Sequence, residues 1–362
     1  MKFILKSFIL KLNIITFFFI FLFIIFNGKI KYKDKNHENN NQIKYYYDFK
    51  NIKIPTEIVK KLLKYINYSK NGILLYKQNL IKSQYPKVTI VISMYNRDEF
   101  INSTIKSVQN QRMKEIEIII VDDFSIDNSV KYVEEAQKSD SRIILIKNKK
   151  KMGTLFCKSI GVLYSKAKYI LPLDSDAMIC FENYTEILYE ESEKGNYDYI
   201  ICDYIFIDLH KKTISLIKNF RAIVLWQKFI KAEVYKKIIF RIGNNILNQG
   251  IIQSDDHFID IFLNKFFHFK HLNLIGIFHF IHYKNQQWDT RFINKETKNK
   301  FCEDMLKTID SLYDVSDNNR KSKLYSFNHL RSLFINSKCF KNEKIREKTI
   351  QLFIKFYKSN FF

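Results

Sequence analysis

The sequence predicts an α/β fold built on a mostly parallel sheet flanked by helices, and three observations predict it. Short apolar runs alternate with helical stretches of ten or so residues between Val88 and Leu173. The composition, with 46% hydrophobic residues and only 3 Pro and 8 Gly, excludes a disordered or collagenous chain. Polar and acidic residues stand at the ends of the apolar runs, where open parallel sheets hold their ligands.

The first element lies ahead of that pattern. No charge occurs from Leu12 to Gly28, and Ile14 to Phe26 is almost wholly apolar. With its flanks this run reaches the ~17–25 residues that a membrane helix needs, with Lys6 and Lys11 snorkelling. A cleavable leader would end in small residues, and Phe26-Asn27-Gly28-Lys29 does not, so an uncleaved signal anchor over residues 1–30 is expected. Lysines flank both sides, three before and four after by residue 35, and leave the orientation open. Residues 31–84, rich in Lys, Asn and Tyr, read as a stem with one or two short helices such as Glu57 to Tyr68.

The repeating pattern then runs in order. Val88–Ser93 is a buried strand, Phe100–Gln109 a helix, Glu117–Val121 a strand and Ser129–Lys138 a helix. Arg142–Lys147, Thr154–Lys166 and Lys168–Leu173 add a strand, a helix and a strand. Right-handed crossovers place such strands side by side in one sheet. Beyond it, Asp256–Phe266 reads as a helix, and residues 291–362 as packed helices with a basic polar face.

Charge narrows the function. The formal net charge is +23, but residues 95–209 hold 15 basic against 20 acidic residues. The excess lies in residues 1–94 (17 against 4) and 210–362 (28 against 13). A nucleic-acid binder should concentrate basic charge at its site, so no nucleic-acid partner is expected. Five Cys, none in a CxxC pair, exclude a disulfide scaffold and a zinc ribbon.

Three strand ends carry the chemistry: Ser93-Met94-Tyr95-Asn96-Arg97, Asp122-Asp123-Phe124-Ser125 and Asp174-Ser175-Asp176. Carboxylates gathered at one edge repel unless donors or a cation offset them. In an extended segment Asp174 and Asp176 point the same way and can share a divalent ion; an acidic loop capping the next helix is the plainer alternative. Asp127-Asn128-Ser129 reads as a helix start. The basic loop Lys147-Asn148-Lys149-Lys150-Lys151 is either a solvated turn or an approach to a phosphate.

These pieces, with Gly153 and Cys157-Lys158-Ser159-Ile160-Gly161, stand in an order that resembles the family 2 glycosyltransferases, here with the anchor of the membrane-bound eukaryotic type. Trp226-Gln227-Lys228, Ser254-Asp255-Asp256-His257-Phe258 and His282 are similar to elements of the family's acceptor half. The resemblance covers Pro86 to Trp288 and implies a GT-A fold, Rossmann-like, over residues 85–290.

It also implies roles. Ser93, Tyr95 and Asn96 line a nucleotide pocket, with Tyr95 stacking on the base. Asp123 accepts the imide N–H of uracil, Asp122 supports the turn or a ribose hydroxyl, and Lys158 faces the diphosphate where the family has Arg. Asp174 contacts the ribose or a metal-bound water, and Asp176 ligates Mn²⁺ or Mg²⁺. His282 is a further ligand or an ordinary loop histidine. Asp256 is the candidate general base with Asp255 beside it, although both also suit a helix N-terminus.

The activity so implied is metal-assisted, inverting transfer of a sugar from a nucleotide-sugar, with UDP expected, to a hydroxyl of a glycan, protein or lipid. Localisation as a type II single-pass protein of the Golgi or endoplasmic reticulum follows from the same resemblance. A catalytically lapsed binding or scaffold protein of this fold is the alternative. A nucleotidyltransferase would need a Gly-rich loop after the first strand, and Ser93–Asn96 holds no Gly.

Overall fold

A computed structural model describes residues 66–68, 86–209, 212–218, 224–243, 247 and 255–282, with isolated positions between 303 and 352. The expected anchor, nearly all of the stem and most of the C-terminal extension lie outside the described residues. Among the described residues no helix is long and apolar enough to cross a membrane.

One mixed sheet organises these residues. Its strands are β1 (Ile66–Tyr68), β2 (Val88–Met94), β3 (Ile116–Asp122), β4 (Ile143–Asn148), β5 (Tyr169–Asp174) and β6 (Ala177–Ile179). β7 (Tyr199–Asp208), β8 (Thr213–Ile217), β9 (Lys228–Lys231) and β10 (Phe269–Ile281) complete it. The order is β1-β4-β3-β2-β5-β9-β7-β10-β6, with β8 paired to β7. β4, β3, β2 and β5 are parallel neighbours, and β10 is parallel to β7. Between these two blocks the short β9 runs antiparallel to both β5 and β7.

Helices α1 (Ile101–Gln109), α2 (Ser129–Ser139) and α3 (Thr154–Tyr164) are the crossovers that parallel pairing requires. α4 (Tyr184–Lys194), α5 (Ala232–Ile242) and α6 (Asp255–Phe266) follow. The apolar runs at β2, β3 and β4 are buried on both faces, which is why they are continuous rather than alternating. Ile90, Ile92, Ile118, Ile120, Leu145 and Leu171 build the core on one face. On the other, α3 lies so close to β2 that a Cβ at Gly161 would come 2.4 Å from Val91 Cγ1, so any side chain there would force Val91 to shift.

The expected elements from Val88 to Leu173 agree with the structure to within a residue or two at each end. One expectation is corrected. The end of the helix expected over Glu57–Tyr68 is strand β1, antiparallel to β4. Pairing with the open edge of β4 satisfies backbone groups that a helix there would leave to solvent, so the sheet takes the segment.

Candidate functional site

The parallel strands end together, and Ser93, Asp122 and Asp174 stand at that edge. Ser93 on β2 pairs in register with Asp174 on β5. Asn96 follows in the left-handed region at φ 50°, where Asn is tolerated better than most residues. Its N–H donates to Ser125 Oγ at 2.9 Å, and its Oδ1 accepts from Ile126 N–H at 3.0 Å. Asn96 thus ties the loop after β2 to the loop after β3.

Asp122 and Asp123 are both buried, and they differ in role. Asp122 accepts from the Ser125 N–H and closes the turn at 3.1 Å. Burial pushes its carboxyl above the ordinary range, more than the Ser125 donors pull it down. Asp123 Oδ1 accepts from Asn148 Nδ2 at 3.0 Å and Met152 N–H at 2.6 Å, and its Oδ2 from Gly153 N–H at 3.0 Å. It therefore holds the start of α3 against β3. The two readings of the basic loop divide between its ends. Lys147 pairs with exposed Glu134 at 2.8 Å, as a solvated residue does, while Lys151 Nζ lies 3.6 Å from the centre of the Tyr95 ring. The aromatic expected to meet a base already carries a cation on one face.

Asp174 ends β5, and Asp176 lies two residues on, just before β6. β10 brings the histidines to them, because His279 pairs in register with Ala177. His279 Nε2 lies 3.5 Å from Asp174 Oδ2 and 3.8 Å from Asp176 Oδ1. Asp174, Asp176 and His279 each offer a ligand atom within 4.8 Å of the others. Predicted His282 is also present, with Nε2 3.2 Å from Asp176 Oδ2 and its ring stacked on Phe100 at 4.1 Å, but it stands outside that convergent trio. Arg97 Nε reaches the same Oδ2 at 3.2 Å while its Nη1 donates to the carbonyls of Tyr95 and Asn96.

The electrostatics follow from these contacts. Burial alone would raise Asp174, but Lys158 and His279 outweigh it and hold the carboxyl well below its usual range. Asp176 is likewise lowered, against burial, by His282, His279 and Arg97. Burial would lower His279; the Asp174 and Asp176 carboxylates hold it above the ordinary imidazole range instead. Two carboxylates and an imidazole are a fitting donor set for a divalent cation in chemistry and spacing. One feature departs from the usual pattern: His279 Nδ1 is buried without a hydrogen-bond partner. Ring packing against Trp226, with centroids 4.8 Å apart, holds the imidazole in its place.

Lys158, on α3, is almost wholly buried. Its Nζ lies 2.8 Å from Asp256 Oδ1 and 3.3 Å from Asp174 Oδ1. Asp256, near the start of α6, also accepts from the Leu225 N–H at 3.2 Å. The ammonium therefore joins the candidate base to the candidate metal site. Asp255 is in the first turn of α6, and its side chain lies outside the described residues.

Sequence reasoning passed over Arg97 and His279. Arg97 stood inside a motif whose neighbours took the roles. His279 needed the pairing of β10 with β6, a contact over a hundred residues long that no local spacing shows.

Comparison with known proteins adds to this geometry. Residues 89–253 match the family profile described as Glycosyl transferase family 2. Glycosyltransferase GlyG of Streptococcus pneumoniae is 30% identical over 33% of this chain and 40% of its own. An Escherichia coli protein, UDP-Glc:alpha-D-GlcNAc-diphosphoundecaprenol beta-1,3-glucosyltransferase WfaP, is 28% identical over 54% of this chain and 77% of its own. The chain spans 40–55% of the length of the first curated relatives it matches. The crystal structure of S. aureus TarS in complex with UDP-GlcNAc has the same fold, with TM-score 0.54 and 13% identity over 75% of this chain and 81% of that one.

Proposed function

Because residues 89–253 match the family model Glycosyl transferase family 2, we propose that the protein moves a sugar from a nucleotide-sugar, with UDP as the carrier, to a hydroxyl acceptor with inversion. The observation that supports this most is the meeting of Asp174, Asp176, His279, Lys158 and Asp256 at one strand edge. Such a site has separate groups for a diphosphate, for a cation and for a proton.

Asp174, Asp176 and His279 would hold a divalent ion, whose chemistry there is to neutralise charge on the departing diphosphate. Lys158 is the ammonium best placed to meet the same diphosphate, as a point charge rather than a bidentate fork. When it turns to the phosphates, Asp256 Oδ1 is freed. Asp256 then takes the proton of the acceptor hydroxyl as that oxygen bonds to the anomeric carbon. The bond from that carbon to the phosphate oxygen breaks, and the nucleoside diphosphate leaves with its electron pair. Ser93 and Tyr95 line the donor side, and Asn96 and Asp123 fix the loops around it.

The names of the relatives support UDP as carrier and make a lipid-linked glycan one acceptor class to try first. The charge-free run from Leu12 to Gly28 supports membrane anchoring, with the Golgi or endoplasmic reticulum as the proposed compartment; extraction of the full chain from membranes at alkaline pH checks the anchor. The main test is release of UDP from a panel of UDP-sugars, with and without Mn²⁺. Asp176→Ala is expected to abolish the metal-dependent part of donor binding. Asp256→Ala should keep donor binding and lose turnover by 10²-fold or more, within the range of general-base removal. Donor binding by the wild type with no turnover on any acceptor would turn the reading to a lapsed enzyme.

A further inference from the structure

Asp256 and Asp260 stand one turn apart on α6, so their side chains share a face of the helix. The five residues Val224–Lys228 are buried and meet both carboxylates. The Leu225 N–H donates to Asp256 Oδ2 at 3.2 Å, and Lys228 Nζ lies 3.1 Å from Asp260 Oδ1. The same ammonium donates to the Val224 carbonyl at 2.5 Å, and the Lys228 N–H to the Leu225 carbonyl at 2.9 Å, which closes the segment into a turn. Asp260 Oδ2 accepts from Asn264 Nδ2 at 2.7 Å.

Lys228 is 0% exposed and Asp260 3%. Apolar residues at both positions would fill this space without the desolvation penalty of two buried charges. What an apolar pair lacks is a fixed rotation. Phe258, Ile259, Phe262 and Leu263 pack α6 by shape alone, and shape tolerates a small turn about the helix axis. A buried ammonium and carboxylate tolerate it less, since parting them draws opposite charges apart inside the protein.

We propose that Lys228 and Asp260 are a positioning pair that sets the rotation of α6, so that Asp256 keeps Oδ2 on the Leu225 N–H and turns Oδ1 to the reaction. The inference rests on Asp256 as the base. Trp226, between Leu225 and Lys228, packs on His279, so one short segment places the base and the metal-facing imidazole together.

The test uses the full chain and the paired change Lys228→Met with Asp260→Leu, which removes both charges and keeps apolar volume. The melting temperature is expected to stay near that of wild type. Turnover, read as UDP release, should fall roughly 10–100-fold, the scale of an ångström-level misplacement, with donor KM nearly unchanged. Amide exchange in the peptide containing Leu225 should quicken as its bond to Asp256 is lost. If the double variant does not fold, Asp260→Glu keeps the pair but lengthens one arm, and the same split between turnover and KM is expected. Unchanged Leu225 exchange in a folded variant overturns the proposal, as does an equal loss in donor affinity and turnover. Should wild type release no UDP from any donor, the proposed activity fails, and Leu225 exchange still decides the positioning role.

Discussion

Among single residues, Phe124 is the plainest case of local strain. It sits at φ 70° with 51% of its surface exposed, directly after the Asp122-Asp123 pair. A left-handed conformation costs a residue with a Cβ about 1–2 kcal/mol, and an exposed ring recovers little of that by packing. Phe124→Asn is therefore expected to stabilise the fold by about 0.5–1 kcal/mol in urea unfolding; a loss of stability would mean that the ring's contacts outweigh its backbone. Strain of this kind is kept where it serves a site, so the same variant should weaken donor binding. Legibility also divides at this scale. Asp174 and Asp176 could be read because their relation is local, two residues in an extended segment. Arg97, His279 and the Lys228–Asp260 pair depend on contacts between distant stretches, and the single residues give no sign of them.

Elements were legible where one crossover follows another. From Val88 to Asn148 each strand lies beside the one before it in sequence, so apolar run and helix are written locally, while β5 crosses back to pair with β2. After Asp176 the sheet turns to β6, β7, β8, β9 and β10, whose order β9-β7-β10-β6 comes from long-range pairing, and sequence reading assigns no strand there. Gly161→Ala adds a good helix former to α3, worth about 1 kcal/mol, but sets a methyl 2.4 Å from Val91 Cγ1. Overpacking of a closed core costs about 1–3 kcal/mol, so net destabilisation is expected, visible as a lower urea midpoint with unchanged slope. At the entry to β4, Arg142 Nη2 pairs with Asp140 Oδ2 at 2.7 Å. Burial works to raise Asp140, yet Arg142 prevails and the carboxyl is lowered. A lowered carboxyl gives its stability above the unfolded value near 4 and loses it as pH falls through the folded one. Asp140→Asn should thus cost about 1–2 kcal/mol at pH 7, and the gap between the two proteins should narrow below pH 4.

For the molecule as a whole, charge and topology point to the same place. The +23 of the chain surrounds a segment, residues 95–209, in which acidic residues outnumber basic ones. The parallel block β4-β3-β2-β5 gives the site Asp174 and, through α3, Lys158. The second block gives His279 from β10, with Asp256 from the adjoining α6. Among the described residues, only the short antiparallel β9 joins the two blocks within the sheet. A ligand that engages Lys158, Asp174 and His279 together therefore clamps one block to the other, and its binding energy should appear as stability of the whole fold. At a donor concentration one hundred times Kd that linkage is worth about 2.7 kcal/mol. For a domain of this size it corresponds to a rise in Tm of roughly 5–10 °C. UDP-sugar alone should give part of the rise, through Lys158, and Mn²⁺ should add a second increment only when the sugar nucleotide is present. Asp176→Ala should keep the first part and lose the second. Thermal melts of the two proteins with donor, with Mn²⁺ and with both decide it. An increment from Mn²⁺ that survives in Asp176→Ala, or none in wild type, would remove the metal from this site.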